Sequence, residues 1–127
     1  MTTGVVRLSA AIEVATGAAL IAVPGLVAQV LLAAGLSDAG IAVARLTGIA
    51  LVCLGLACWP GADDAIGPAL RALFVYNLLA AVYLGYLRVG GGFVSYLLWP
   101  ACALHFALGL LLARPAWTTM SRAKAAR

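Results

Sequence analysis

"AAIEVATGAALIAVPG" (residues 10–25) is apolar enough to cross a membrane, yet it carries Glu13, the only glutamate in the chain. Which solvent surrounds this run decides how everything else is read. Hydrophobic residues make up 65% of the chain and charged residues 9%, against roughly 45–50% and 25% in ordinary globular proteins. Eight basic and four acidic side chains could not cover a water-soluble domain of 127 residues. The bilayer is the solvent, and the chain is long enough for one domain.

Working outward from Glu13, four runs approach the roughly 20 residues a helix needs to cross a hydrocarbon core of about 30 Å. They lie at about 5–23, 40–59, 68–88 and 93–113. "PG" at 24–25, "PGADD" at 60–64, "GGG" at 90–92 and "RP" at 114–115 punctuate them. The expected fold is therefore all-α, a bundle of four transmembrane helices forming one membrane domain over 1–113, followed by a basic tail at 114–127. Running the first helix on through 24–39 would make it too long for a span, so Pro24 is read as a break. Leu26–Ala34 is then expected as a short helix in the membrane interface, capped by Gly35, with Ser37 or Asp38 capping the next helix. Arg7 before an apolar run resembles a signal peptide, but a mid-run glutamate and the lack of a clear A-x-A site favour a retained span.

The net charge of +4 does not point to nucleic acid. Arg114, Arg122, Lys124 and Arg127 follow the last hydrophobic run, as a cytoplasmic anchor facing anionic headgroups does. With both termini inside, the inner side carries six basic residues and the outer side only Arg88. Asp63 and Asp64 in the inner loop weigh little in that rule. The expected location is a bacterial inner membrane, the Ala- and Gly-rich composition matching a high-GC genome.

Each span brings one strongly polar residue towards mid-depth. Glu13 and Asn77 fall near the centres of the first and third spans, and His105 about 3 Å from that of the fourth. Arg45 falls about 7 Å outward of the centre of the second, within reach of an arginine side chain. Helical phase places these groups on faces rich in small residues, such as Ser9, Thr16 and Gly17 beside Glu13, and Gly48 and Gly55 beside Arg45. A charge at the centre of a lone helix costs at least about 2.5–3.5 kcal/mol, so Glu13 and Arg45 are expected to meet as an intramembrane ion pair, with Asn77 and His105 around them. Tyr76, beside Asn77, and Cys102, on the face of His105, complete the candidate ligand- or proton-binding residues. The other aromatics fit an interfacial belt.

Cys53, Cys58 and Cys102 show no CxxC or Cys/His ligand spacing and read as small apolar residues among helices. No metal, no cofactor and no catalytic residue is assigned, and no GxGxxG, Walker A, GxSxG or HExxH motif occurs. The leading expectation is a non-catalytic membrane component binding a small ligand or lipid, or serving as an accessory subunit, with a homodimer or a membrane partner subunit as its assembly. The alternatives are a proton-coupled exporter using Glu13, acting on a small hydrophobic or cationic ligand, and a membrane redox or lipid enzyme with His105 as acid/base.

Two resemblances accompany this reading. "AAIEV" within a first span of four resembles the small multidrug resistance transporters, which implies alternating proton and cation binding at the matching position, Glu13. The chain departs from that family in lacking a lysine at the end of the first helix and the Gly-rich motif of the third. More broadly, "RLSAAIEVATGAALIAVPGLVAQVLL", "VARLTGIALVCLGLACW" and "YNLLAAVYLGYL" are similar to small bacterial four-helix membrane proteins of the DoxX-like type. That likeness implies the four-span architecture and no particular chemistry.

Overall fold

The computed structural model describes residues 2–61 and 66–125. Five helices follow one another: α1 (Thr2–Ala22), α2 (Pro24–Leu32), α3 (Asp38–Ala57), α4 (Ile66–Val89) and α5 (Leu98–Ala125). Four of them, α1, α3, α4 and α5, are long and apolar enough to span a membrane. The chain is an all-α, multi-pass membrane protein. Asp63 and Asp64, which the orientation argument set aside, lie outside the described residues, as does Arg127.

The connections follow from local chemistry. Pro24 starts α2 as a first-turn proline, and Val23 before it leaves the helical region at φ −136°, as a residue preceding proline tends to. Ser37 rather than Asp38 caps α3: its hydroxyl accepts from the Gly40 N–H at 3.2 Å. Two boundaries differ from expectation. α2 ends on Ala33 in the left-handed region, φ 54° and ψ 35°, not on Gly35. An alanine there carries a Cβ penalty of about 1–2 kcal/mol, which the N–H of Ala33 partly offsets by donating to the Gln29 carbonyl at 3.0 Å. The last span starts at Leu98, not near Phe93, because the chain after the triple glycine spends residues 92–97 turning. Gly92 takes φ +76° in that turn, a conformation in which glycine has no Cβ to clash.

α5 also fails to stop at "RP". It continues through Pro115 to Ala125, so the expected tail is helical over its described residues. Pro115 offers no N–H to the Leu111 carbonyl four residues back, and the helix runs on past that one lost bond. In the turn that follows, the hydroxyls of Thr118, Thr119 and Ser121 donate to the carbonyls of Pro115, Ala116 and Trp117 at 2.9, 2.8 and 3.1 Å.

The spans pack as two antiparallel pairs, α1 with α3 and α4 with α5, and α1 is the helix that touches both members of the other pair. The α1–α3 seam is glycine against backbone. A Cβ built on Gly17 would lie 2.5 Å from the Gly48 carbonyl oxygen, one on Gly48 2.6 Å from that of Gly17, and one on Gly55 2.6 Å from that of Ala10. Small residues let membrane helices approach this closely, where dispersion rather than the hydrophobic effect holds them. The two pairs converge at the end where α1 and α4 begin and α3 and α5 finish. There Val6, Cys58, Leu70, Leu73, Leu112 and Ala116 form the buried apolar cluster. At the opposite end they part, and α2 lies across the opening.

Candidate functional site

Asn77 organises the centre. It is fully buried on α4, and its amide nitrogen donates to the Leu73 carbonyl at 2.8 Å and to the Ser9 hydroxyl on α1 at 2.9 Å. With both amide hydrogens committed, Oδ1 is left for His105 on α5, whose Nδ1 lies 2.9 Å away. Because an amide oxygen only accepts, Nδ1 carries the proton of that bond. A neutral ring then presents its lone pair on Nε2. Tyr76, one position before Asn77, meets the His105 ring edge-on, with centroids 5.8 Å apart at 78°. Three helices are thus joined by one chain of polar contacts, Ser9–Asn77–His105, with Tyr76 beside it.

Glu13 sits one turn along α1 from Ser9 and is fully buried. Neither carboxyl oxygen has a hydrogen-bond partner. The Tyr76 hydroxyl faces the carboxyl at interaction range, without closing a hydrogen bond to either oxygen. The expected ion pair is absent. Arg45 is exposed on α3, and no ion pair involving it occurs among the described residues. The physical reason lies in the seam: with Gly48 and Gly55 against α1, no room remains for a guanidinium on that face. Arg45, a turn away, is turned outward, and so is Trp59. Arg45 is the eighth of the twenty residues of α3, about 10 Å from its start, so its long stem has to run along the helix to carry the guanidinium towards the headgroups.

Of the six residues singled out in the sequence, the structure brings together Glu13, Tyr76, Asn77 and His105. Arg45 lies apart. Cys102 belongs to the α4–α5 contact instead, its thiol donating to the Ala81 carbonyl at 3.3 Å. Cys53 is exposed, contrary to the expectation of burial, while Cys58 joins the apolar cluster.

Beside the polar chain lies a cavity of about 930 Å³, at the upper end of the range for small-molecule pockets. Tyr76 and His105 line it at the level of the polar chain. Its walls come from α1 (Ile12, Ala19), α4 (Leu79, Tyr83) and α5 (Ala101, Leu104). Five α2-side residues, from Val23 to Leu31, line its far end, and the cavity opens between the helices. Asn77 is not among the lining residues, and neither is Glu13; they stand behind Tyr76 and His105. The α4–α5 turn ties α2 down, since the Ser95 hydroxyl donates to the Val30 carbonyl at 2.8 Å and accepts from the Leu97 N–H at 3.2 Å.

The contribution of α2 to a cavity wall was not legible in the sequence. An apolar nine-residue helix after a proline gives the same signal whether it lies on a membrane surface or over a hollow. No family model, curated protein or solved structure matches the chain.

Proposed function

We propose that this membrane protein binds a small lipophilic molecule in the cavity between α1, α2, α4 and α5, with His105 and Tyr76 addressing its polar end. The observation that carries the reading is the cavity itself, apolar along its length and bounded at mid-depth by two hydrogen-bonding rings. Their protonation pattern narrows the ligand. Nε2 of a neutral His105 accepts, and the Tyr76 hydroxyl, which faces Glu13, keeps lone pairs that accept as well. A lipophile with a hydroxyl at one end donates to either of them, and its hydrocarbon part runs towards α2. The role is binding rather than catalysis. The setting is a bacterial cytoplasmic membrane with both termini inside, and the architecture is similar to that of the DoxX-like proteins.

Native mass spectrometry of protein released from nanodiscs tests this. Wild type should retain a lipophilic adduct that Ala80→Trp and Ala101→Phe, which fill the cavity, exclude. Ala107→Phe, on an exposed position of α5, should keep it. Equal adduct in all four proteins would overturn the reading.

One observation favours a second reading, the proton-coupled exporter. The carboxyl of Glu13 has no hydrogen-bond partner, and Arg45 does not neutralise it, so it is chemically available to a proton or a cation that reaches it past Tyr76. On that reading Glu13→Gln keeps its fold in proteoliposomes and loses pH-driven movement of a lipophilic cation such as ethidium. Unchanged movement would exclude Glu13 as the coupling group.

A further inference from the structure

A second hollow lies on the opposite side of α4, away from the cavity and independent of it. It is a groove of about 560 Å³ between α4 and α5, lined by Phe74, Ala113, Arg114, Trp117 and Thr118. Its walls are apolar, and the Thr118 hydroxyl is already committed to the Pro115 carbonyl at 2.9 Å. Its charge is all of one sign. Arg114 is exposed, and no ion pair involving it occurs among the described residues.

Register adds a second cation. α4 and α5 run antiparallel with Gly67 against Thr119 and Asn77 against His105, which brings Arg71 level with Arg114. Arg71 is exposed and stands one turn before Phe74 on the same side of α4. Arg71, and Arg114 level with it, therefore stands about 7.5 Å in from Ile66 at the start of α4, at 1.5 Å per residue, within a guanidinium's reach of the headgroup phosphates. Trp117, largely exposed at the same rim, is the side chain that membrane interfaces favour. Above the two cations the groove continues along Phe74 and Ala113 into the hydrocarbon level.

We propose that this groove is a binding site for an anionic phospholipid of the surrounding bilayer, its phosphate between Arg71 and Arg114 and one acyl chain laid against Phe74. Positive charge at the phosphate level and an acyl-sized apolar wall directly above it match that occupant on both counts. Guanidinium groups suit phosphate through paired N–H donors. A zwitterionic lipid would place a second cation beside them, and a second copy of this chain would set four arginines face to face.

The test titrates the full chain in detergent with phosphatidylglycerol and, separately, phosphatidylcholine, counting bound lipids by native mass spectrometry. Wild type should hold one phosphatidylglycerol preferentially. Arg71→Gln with Arg114→Gln should weaken it about tenfold or more, at roughly 1 kcal/mol per cation near a lipid surface, while Arg45→Gln leaves it unchanged. A second measurement keeps both arginines: with Trp59→Phe and Trp99→Phe, Trp117 is the remaining tryptophan, and brominated phosphatidylglycerol should quench it more strongly than brominated phosphatidylcholine. Equal binding or quenching by the two lipids overturns the proposal, and so does a stable dimer that Phe74→Arg dissociates.

Discussion

The α1–α3 seam and the region between α1 and the α4–α5 pair solve the same problem in opposite ways. Along the seam, glycine meets backbone and nothing polar is enclosed. Across the other contact, Ser9, Asn77 and His105 join the helices by hydrogen bonds beside a cavity of about 930 Å³. The first arrangement holds helices together by proximity and leaves no space for a ligand. The second holds them at a distance and leaves space. The difference marks the second contact, not the seam, as the one with room for a ligand.

The largest effect should come from filling the seam. Gly48→Val would thrust a side chain against the Gly17 carbonyl and Ile21, and backbone cannot yield as a flexible side chain does. A loss of about 3 kcal/mol or more is expected, at the top of the range for overpacking, read as failure to recover folded protein from membranes. A variant with wild-type thermal stability in detergent would show that the two pairs are not held as described.

Next comes the directional half. Asn77→Leu removes the bonds to Ser9 and His105 and orphans a buried imidazole donor, which should cost about 2–3 kcal/mol. Asn77→Asp keeps an acceptor for His105 and should cost less against Ser9. Unchanged thermal stability in Asn77→Leu would mean that the polar chain does not set the spacing.

Glu13 and Arg45 sharpen the contrast between what the residues suggested and what the fold does. A double-mutant cycle of Glu13→Gln and Arg45→Gln should return a coupling within about 0.3–0.5 kcal/mol of zero, as for independent sites. A coupling above about 1 kcal/mol would restore the ion pair. Outside both contacts, a small gain is expected at the end of α2. Ala33→Gly relieves the left-handed alanine and should raise stability by about 0.5–1 kcal/mol, measured by thermal unfolding in detergent.

Much of the architecture was legible because hydropathy in a membrane is a coarse, strong signal. Four runs near bilayer length give four spans, and Pro24 and Ser37 mark their breaks by local stereochemistry. Glu13, Asn77 and His105 could be placed at one depth from residue rise alone, and helical phase turned them inward correctly. Arg45 shows where that reasoning stops. It shares a helical face with Gly48 and Gly55 in projection, but close glycine packing leaves no volume beside them for a long side chain, and projection does not register volume. The run of α5 through Pro115 escaped for a different reason, since a proline costs a helix one backbone bond and a steric clash, and membrane helices tolerate that more often than helices in water do. The cavity left no trace in the sequence, because Leu, Ala and Val line a hollow as readily as they face lipid.

The account stands on a lipophile occupying the space between α2 and the His105–Tyr76 floor. Photolabelling the protein in membranes with a diazirine-bearing long-chain alcohol, followed by peptide mapping, examines that directly. The predicted result is saturable labelling on the half-buried cavity-lining positions Val27, Leu84 and His105, abolished by Ala101→Phe. Labelling confined to the outward positions Val75, Val82 and Leu110, and indifferent to that substitution, would contradict it.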